Sequence, residues 1–554
     1  MQCYSTVEGL KWGITKSNFV EVYDTTLRDG AQGKDVNFSL QDKLRITSKL
    51  DEFGVSFIEG GWPGSNPKDE EYFRAVRDLP LEHAEVVAFG STRRSSVSAG
   101  EDQNLNAIVG SGVRTATIFG KSWDLHVRSV LNTAPETNVE MVYDSVRYLR
   151  DHGLRVIFDA EHFYDGYRSC RDYALQVVKA AQDAGAETVV LCDTNGGTLP
   201  AEFERITREV VSSLKVRVGV HCHNDSGTAV ANSILGVLAG ARHVQGTING
   251  IGERCGNADL CQIIPALEIK MGFSTSSSPV GRLRGLKSLS LYVYEVLHMR
   301  PDPRQPYVGE NAFAHKGGVH VDAVMKNCVA YEHIDPSLVG NVRLFSVSEL
   351  SGKANIMAKI REFGLQADKN SPAVTALLKK IKELEYRGYL LEGADASLYL
   401  LIAKELGHYR KLFEVVQWRT ISESRNGGFA AESSIKLRVG DRELYVIEEG
   451  NGPVNAQDRA LRKAMYGFFP EIERVQLVNY KVSIAETAEG TASSVRNFVE
   501  FSDGRSHWVT VGVSTNILEA SKEALVDGYD YYLQRNRISG TGDQSESAIG
   551  RDGE

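Results

Sequence analysis

Eight short apolar segments alternate with amphipathic stretches over residues 19–272. Several segments are almost continuously hydrophobic, which is typical of strands buried on both faces of a parallel sheet. The stretches between them repeat apolar residues at helical spacing, and some end at a glycine. The segments are FVEVYDT (19–25), SFIEGGW (56–62), EVVAFG (85–90), TATIFG (115–120), RVIFDAE (155–161), TVVLCDT (188–194), RVGVHCH (217–223) and VQGTING (244–250). This pattern predicts a TIM (β/α)8 barrel, whereas RDGAQG after the first segment lacks the G-x-G-x-x-G of an open dinucleotide-binding sheet.

The pattern changes twice after the barrel segment, which we place at residues 18–273. From 274 to 410 a Ser/Gly-rich joint (274–285) precedes helical spacing without strand signals, which predicts helical linker and lid subdomains. From 411 to 535 alternating strands precede a helix twice, which predicts a C-terminal α+β domain of two similar halves. Residues 536–554 are polar and predict a disordered tail.

The overall composition excludes several classes of protein. Hydrophobic residues make up 42% of the chain and the formal net charge is -9, so nucleic acid is not an expected partner. No apolar run reaches the roughly 18 residues of a membrane span, and the N-terminus carries no signal-peptide pattern. The seven cysteines are scattered and form no C-x-x-C pair, which favours a reducing compartment. We therefore expect a cytoplasmic protein with no membrane partner.

Candidate metal ligands stand where strands of the predicted barrel end. His221 and His223 are two apart in a strand, so both imidazoles face the same side. Asp29 follows the first strand and Asn257 follows the eighth, and the carboxyl ends of barrel strands meet at one rim. This set of nitrogen and oxygen atoms suits Mn²⁺, Mg²⁺, Zn²⁺ or Co²⁺. The alternative is ordinary rim polarity, with Asp29 in a structural pair with Arg28.

Further polar residues are candidates for contacts with a substrate. Arg28 offers a planar fork of donors to a carboxylate or a developing alkoxide. Glu161 ends the fifth strand as a candidate acid, base or orienting group, and Thr194 could donate to a substrate carboxylate. His320 lies in a glycine-rich segment typical of a lid, with Asp322 nearby as in a base and its orienting group. Rim polarity and a structural histidine are the respective alternatives.

Four motifs together resemble those of the DRE-TIM metallolyases. They are TTLRDGAQ (25–32), HCHND (221–225), NGIGERCGNAD (249–259) and FAHKGGVHVDAV (313–324). With the helical and C-terminal domains, they resemble the acyltransferase branch of citramalate, 2-isopropylmalate and homocitrate synthases. Within it, IEGGWPGSNPKD (58–69) and DAEHFYDGY (159–167) look like one subgroup of citramalate synthases. Asp159 stands where some relatives carry a residue that shapes the keto-acid pocket.

The resemblance implies a metal-dependent condensation of acetyl-CoA with a small 2-keto acid, for which pyruvate is the expected acceptor. The lid of relatives covers the neighbouring subunit's barrel, which implies a homodimer. The C-terminal domain resembles an allosteric domain, so isoleucine or a related amino acid is the expected effector. The implied site residues are Asp29, His221, His223 and Asn257 on the metal, Arg28 as catalytic arginine, Gln32, Glu161 and Thr194 near the keto acid, and His320, Asp322 and Tyr331 acting on the acetyl group.

Three other functions remain open on the sequence alone. The same chemistry on a larger keto acid, such as 2-ketoisovalerate, would make a 2-isopropylmalate or homocitrate synthase. A retro-aldol lyase such as a 3-hydroxy-3-methylglutaryl-CoA lyase belongs to the same superfamily, although the long C-terminal domain argues against it. A non-catalytic branched-chain amino-acid sensor would carry an inactive barrel, and the intact Arg-Asp and His-x-His pairs argue against that.

Overall fold

The computed structural model describes residues 18–275, 282–348, 351–425, 428–485 and 490–540. They form two compact units: the first runs to Phe313 and includes His333–Arg343, and the second comprises Ala314–Glu332 and the described residues from Leu344 onward. The segment 274–410 contributes to both units. Three segments discussed above lie outside the described residues. They are the N-terminal residues that carry no signal-peptide pattern, part of the joint at 274–285, and positions 541–554 of the predicted tail.

The first unit is built around a closed barrel of eight parallel strands, which confirms the predicted TIM barrel. The pairing closes because β1 hydrogen-bonds to both β2 and β8. The last strand is shorter than the predicted segment, because the chain turns at Asn249, whose φ is 63°. The strands are β1 (Glu21–Asp24), β2 (Phe57–Gly61), β3 (Glu85–Ser91), β4 (Thr115–Lys121), β5 (Arg155–Glu161), β6 (Thr188–Asp193), β7 (Arg217–Cys222) and β8 (His243–Gly246).

Helices alternate with these strands and cover the barrel. Local sequence sets their ends: Ser39 caps the first helix by accepting from the backbone N–H of Asp42, and Gly54 ends it at a φ of 84°. The helices of this unit are α1 (Leu40–Phe53), α2 (Pro67–Ala75), α3 (Gln103–Gly110), α4 (Asp124–Ser129), α5 (Pro135–Asp151), α6 (Phe163–Ser169), α7 (Arg171–Ala184), α8 (Pro200–Ser213), α9 (Ala229–Leu238), α10 (Leu260–Pro265) and α11 (Leu286–Val296).

The barrel interior is filled by side chains. The Tyr23 hydroxyl lies 2.7 Å from Glu59 Oε1 and 2.8 Å from Thr117 Oγ1, which links β1, β2 and β4 across the interior. A buried cluster of Tyr23, Phe57, Val87, Ile157, Val190 and Cys192 surrounds it. Because this layer is packed, the barrel is a filled core rather than a pore, and a binding site is expected at its carboxyl rim.

The second unit joins helices to two antiparallel three-stranded sheets, each followed by a helix, as predicted for the C-terminal domain. A two-residue parallel pair, β9 (Ala314–His315) with β10 (Leu344–Phe345), interrupts the region expected to be helical. No described helix has the length and apolar character to cross a bilayer. The other elements are α12 (Gly318–Lys326), α13 (Lys353–Glu362), α14 (Pro372–Tyr386), α15 (Asp395–Glu405), β11 (Glu414–Arg425), β12 (Gly428–Val439), β13 (Arg442–Gly450), α16 (Pro453–Tyr466), β14 (Gln476–Ile484), β15 (Val495–Ser502), β16 (His507–Ser514) and α17 (Ile517–Gly540).

Candidate active site

A cavity of about 260 Å³ opens at the carboxyl rim of the barrel. Its walls come from strand ends that are far apart in sequence, which the closed barrel brings to one place. Its lining includes eight of the residues singled out from the sequence: Arg28, Asp29, Gln32, Asp159, Glu161, Thr194, His221 and His223. The other four are Asn257, which is bridged to this rim, and His320, Asp322 and Tyr331, which belong to the second unit.

Three candidate ligands converge on one side of this cavity. Asp29 Oδ2 lies 3.3 Å from His221 Nε2 and 3.9 Å from His223 Nε2. The two Nε2 atoms are 3.3 Å apart, and all three side chains are buried. One ligand atom from each residue lies within 4.8 Å of the others, so a single ion could contact all three.

Asn257 adds a fourth polar group to the same rim. Its backbone forms an antiparallel bridge with His223, and its Nδ2 donates to the carbonyl of Ile251 at 3.2 Å. Its buried Oδ1 and the Nδ1 of His223 have no hydrogen-bond partner among the described residues. Leaving a buried acceptor unsatisfied is unfavourable, and coordination of a cation by the amide oxygen would relieve that cost. The groups present therefore fit a divalent metal.

The protonation states of Asp29 and His223 suit metal binding. Burial opposes ionisation of Asp29, but Arg28 and the two histidines hold its pKa well below the ordinary range. Burial, together with the neighbouring His221, lowers the pKa of His223 to about 4. Burial acts on His221 as well, but its hydrogen bond to Asp29 outweighs it and raises the pKa. A metal requires an ionised carboxylate and unprotonated imidazole nitrogens, which this arrangement supplies in Asp29 and His223.

Arg28 is held in place by three neighbours. Its Nε donates to Glu59 Oε2 at 2.6 Å, and its Nη1 lies 3.6 Å from Asp29 Oδ2. Its guanidinium carbon sits 3.6 Å from the centre of the Phe89 ring. Burial disfavours the charge, but Glu59 and Asp29 outweigh burial and raise the pKa of Arg28. The cavity therefore contains a permanent, preoriented positive charge.

Glu161 and Thr194 are positioned by contacts around the end of β5. The Glu161 carboxylate forms an ion pair with Lys121 at the end of β4. The next residue, His162, has a φ of 55°, and its backbone N–H donates to Thr194 Oγ1 at 2.9 Å. Because Thr194 accepts this hydrogen bond, its own hydroxyl proton can be donated to a ligand in the cavity.

Three aromatic rings form an apolar wall of the cavity. Trp62 meets Phe89 and Phe119 edge-on, at centroid distances of 5.7 and 5.8 Å. Phe89 and Phe119 stack with their centroids 5.5 Å apart. Trp62 is anchored by its indole N–H, which donates to Asn104. The three rings therefore present an apolar surface beside the polar groups of the cavity.

The three candidate residues of the lid segment form two separate arrangements in the second unit. The His320 ring stacks on Tyr331 with a centroid distance of 4.3 Å. Asp322 pairs with Lys326 at 2.5 Å and with Lys369 at 3.1 Å. Residues two apart on a helix do not face each other, and both positions lie on α12. The expectation that Asp322 orients His320 is therefore corrected: its partners are the two lysines.

Sequence reasoning missed three residues that contact the candidate site residues. Glu59 binds Arg28, Lys121 binds Glu161, and Gln245 contacts His221. Each had a weak signal, because each is a polar side chain within or at the end of an otherwise apolar strand. Such a residue in a barrel strand must find a polar partner when it is buried. Periodicity alone does not say which partner it finds.

Comparison with known proteins agrees with this organisation. An HMGL-like family model matches residues 19–286, a homocitrate synthase post-HMGL domain-like model matches 307–388, and a LeuA allosteric (dimerisation) domain model matches 392–533. The (R)-citramalate synthase of Sulfolobus acidocaldarius is 51% identical over 95% of this chain and 98% of its own length. That of Geobacter sulfurreducens is 49% identical over 94% and 98%, and a probable 2-isopropylmalate synthase of Methanopyrus kandleri is 33% identical over 94% and 99%.

The closed barrel, the polar cavity at its rim and the matched C-terminal domains define a TIM-barrel transferase of the HMGL-like class. Within that class, the sequence identity over nearly the whole chain is much higher to the two (R)-citramalate synthases than to the probable 2-isopropylmalate synthase. The chain belongs to the family of the (R)-citramalate synthases.

Proposed function

We propose that the chain condenses acetyl-CoA with pyruvate and water to give (R)-citramalate and free CoA. The acetyl methyl loses a proton, its carbon bonds to the ketone carbon, and water cleaves the thioester. The observation that carries this proposal is the rim cavity, which combines candidate metal ligands, a buried arginine and an aromatic wall. Five relatives that share 46–51% identity with the chain are named for this activity.

Asp29, His221, His223 and Asn257 are the residues we assign to a divalent metal. When bound, such an ion supplies Lewis-acid polarisation of the keto group. The chain's own contribution is the set of ligand atoms. Before a metal arrives, Asp29 is held ionised and His223 unprotonated, and the buried Oδ1 of Asn257 has no hydrogen-bond partner among the described residues. Mn²⁺, Mg²⁺, Zn²⁺ and Co²⁺ all suit this set of donors.

We assign the contacts with the keto acid to Arg28, Gln32 and Thr194. Arg28 can stabilise negative charge as it develops on the ketone oxygen, because its guanidinium is already oriented by Glu59. Thr194 can donate its hydroxyl proton to the substrate carboxylate. Gln32 lines the cavity with an amide that can donate or accept.

The aromatic wall supports pyruvate as the acceptor rather than 2-ketoisovalerate. Trp62, Phe89 and Phe119 pack against one another next to Arg28, so we expect that a branched side chain would have to displace a packed ring. The methyl group of pyruvate needs no such displacement. Overpacking of rigid groups is unfavourable, which gives the discrimination a physical basis.

We assign proton removal from the acetyl methyl to His320, with Tyr331 stacked on its ring. Glu161, held by Lys121, is the candidate for orienting or acid–base work at the rim. A His320→Ala variant is expected to lose most of its turnover while it keeps its bound metal. Turnover equal to that of the native chain would remove His320 from this role.

The proposal includes a homodimer and feedback regulation, which the LeuA allosteric (dimerisation) domain supports. Isoleucine or a related branched-chain amino acid is the expected effector, since citramalate can supply isoleucine synthesis. Addition of isoleucine should lower the rate of the full chain and raise its melting temperature. If neither quantity changes, this effector is wrong.

The decisive experiment measures release of the CoA thiol from acetyl-CoA with a panel of 2-keto acids. The purified full chain is assayed with saturating Mn²⁺ and with pyruvate, 2-ketobutyrate, 2-ketoisovalerate and 2-ketoglutarate. We expect kcat/KM to be highest for pyruvate. A preference for 2-ketoisovalerate would make the chain a 2-isopropylmalate synthase, and no release with any acceptor would favour the non-catalytic sensor.

A second experiment tests the assigned ligands directly. Metal bound per chain is measured by elemental analysis after dialysis against limiting Mn²⁺. Asp29→Asn keeps the size of the side chain but removes its charge, so bound Mn²⁺ should fall to background, as it should for His223→Ala. The matched control is Asp225→Asn, since Asp225 pairs with Arg254 at the same rim. Full occupancy in Asp29→Asn and His223→Ala would show that the ligand set is wrong.

A further inference from the structure

A buried polar pair stands behind His221, and the proposed function makes no use of it. His221 Nδ1 lies 2.9 Å from Oε1 of Gln245 on β8. Nε2 of Gln245 donates to Oδ1 of Asp159 on β5 at 3.0 Å. Gln245 is fully buried and Asp159 is 4% exposed. The two hydrogen bonds connect Asp159 through Gln245 to the imidazole of His221.

The chemistry of the three groups determines which of them donates and which accepts in each of the two hydrogen bonds. Above its pKa, which burial raises to about 7, Asp159 is a carboxylate that only accepts hydrogen bonds, so it requires the NH₂ end of the Gln245 amide. The oxygen end then faces His221, and because it can only accept, Nδ1 of His221 must carry the hydrogen. In the metal-free chain Nε2 of His221 hydrogen-bonds to Asp29, and a metal would replace the hydrogen on Nε2 and meet the lone pair of the neutral imidazole there. That nitrogen lies 3.3 Å from Asp29 Oδ2, on the side of the candidate ligands.

We propose that Gln245 is a positioning residue, which Asp159 orients so that His221 is held in the tautomer that presents Nε2 to a divalent metal. The inference rests on the proposed function, because it concerns the affinity of that site for metal. An imidazole held at its other nitrogen has both its tautomer and its ring plane fixed before the metal arrives. Loss of such a partner typically lowers metal affinity by about 10- to 100-fold.

Exchanging the carboxylate of Asp159 and the amide of Gln245 provides a sharp test. Glu has nearly the shape of Gln, and Asn has nearly the shape of Asp. Gln245→Glu alone places two carboxylates face to face at pH 8 without a donor between them, so we expect their repulsion to move the new carboxylate away from the position that accepts from His221. The double variant Gln245→Glu with Asp159→Asn restores the pattern, since the new amide at position 159 can turn its NH₂ toward the new carboxylate at position 245, which in turn accepts from His221. Asp159→Asn alone is tolerated, because an amide can present its oxygen to Gln245.

The experiment measures the dissociation constant for Mn²⁺ of the metal-free full chain at pH 8, by the EPR signal of free Mn²⁺. We expect Gln245→Leu and Gln245→Glu to bind at least about tenfold more weakly than the native chain. The double variant should recover to within about threefold, and Asp159→Asn should remain close to native. Non-additivity of this kind isolates the interaction between the two positions. Thermal unfolding of each metal-free variant identifies any variant that fails to fold. If Gln245→Leu fails, the variants of unchanged shape, Gln245→Glu and the double variant, test the inference.

His243→Gln is the matched control for loss of a buried polar contact on the same strand. His243 lies two residues before Gln245 on β8, is fully buried, and bonds Glu21 at 3.1 Å. This control should lose thermal stability but keep native Mn²⁺ affinity. The inference is overturned if Gln245→Glu binds like the native chain, or if the double variant binds no better than Gln245→Glu. If the native chain itself binds no Mn²⁺, the proposed metal site fails instead.

Discussion

At the scale of single residues, side chains of the same type behave differently because of their neighbours. Burial raises the pKa of Asp159 to about 7. Asp29 is equally buried, yet its pKa is lowered because Arg28 and the histidines favour the carboxylate. His221 and His223 diverge for the same reason, since His221 makes the closer contact with Asp29. Burial alone therefore does not predict the chemistry of a residue at this rim.

The Asp24→Asn variant tests the effect of burial on an acid that contacts no candidate ligand. Asp24 is fully buried, accepts from the backbone and hydroxyl of Thr26, and burial raises its pKa to about 7. A pKa raised in the folded state means that this group's contribution to stability is full below about pH 4 and is lost as pH rises to about 7, by up to about 1.4 kcal/mol per pH unit. The melting temperature of Asp24→Asn minus that of the native chain should therefore increase from pH 4.5 to pH 8.

Calorimetry across that pH range is the measurement. Asp42→Asn serves as control because Asp42 caps the exposed start of α1. A difference between Asp24→Asn and the native chain that does not vary with pH would mean that Asp24 is ionised like an exposed acid.

The aromatic wall yields a prediction about specificity. Phe119→Val replaces a ring that packs against Trp62 and Phe89 with a smaller side chain, so the cavity should accept a branched keto acid more easily. The ratio of kcat/KM for pyruvate to that for 2-ketoisovalerate is expected to fall by roughly tenfold or more. The measurement is thiol release with both acceptors. An unchanged ratio would show that another part of the cavity selects the acceptor.

At the scale of elements, helix α17 presents a stripe of acids to the segment around α15. The positions are spaced by four and three residues, so they lie on one face of the helix. Each acid accepts from a hydroxyl group rather than from a cation. The pairs are Glu523 with Tyr389 at 2.6 Å, Asp527 with Ser397 at 3.1 Å, and Asp530 with Tyr409 at 2.9 Å. These bonds tie the helical segment to the C-terminal sheets within the second unit.

Tyr409→Phe should weaken this joint. Asp530 is buried and would lose a donor without gaining a water molecule, although Gln534 still donates to its other oxygen at 3.0 Å. The expected loss is about 1–3 kcal/mol in the free energy of unfolding of the second unit, measured by urea titration. Tyr466→Phe is the matched control, since Tyr466 is 51% exposed. Equal stability of the two variants would show that the hydroxyl of Tyr409 contributes nothing.

At the scale of the whole molecule, the outer face of the first C-terminal sheet carries three large hydrophobic side chains that are exposed. Ile435 and Val446 pack on its inner side, whereas Ile421, Tyr445 and Ile447 are 37%, 55% and 49% exposed on the other. Alternation along the strands places these three side chains on one face. Exposed apolar side chains grouped in this way mark surfaces for association, and the matched LeuA domain model is described as a dimerisation domain.

We expect the paired change Tyr445→Lys with Ile447→Lys to dissociate the proposed homodimer. Two like charges on each sheet would repel across a two-fold interface and would have to be desolvated. Light scattering after size-exclusion chromatography should give twice the chain mass for the native protein and the chain mass for the variant. Leu199→Lys, at a 63% exposed position in the first unit, should stay dimeric. A dimeric double variant would place the interface elsewhere.

Much of this architecture could be predicted from local patterns. The eight strands were predicted because parallel barrel strands are buried on both faces and read as apolar runs. The candidate ligands could be named because polar residues at strand ends share one rim in a barrel. Asp322 was expected to contact His320 because the two are close in sequence, whereas a helix directs residues two apart to different sides. The β9–β10 pair escaped detection because two residues carry no periodicity.

The sequence by itself determined the order of elements, the closed barrel and the residue types at its rim, because these follow from hydrophobic spacing and from short motifs. Only the tertiary structure decided which partner each rim residue has. Glu59 meets Arg28, and Gln245 stands between Asp159 and His221, because closure of the sheet brings together strands that are distant in the chain. Protonation, tautomer and orientation depend on those partners, so no pattern along the chain could supply them.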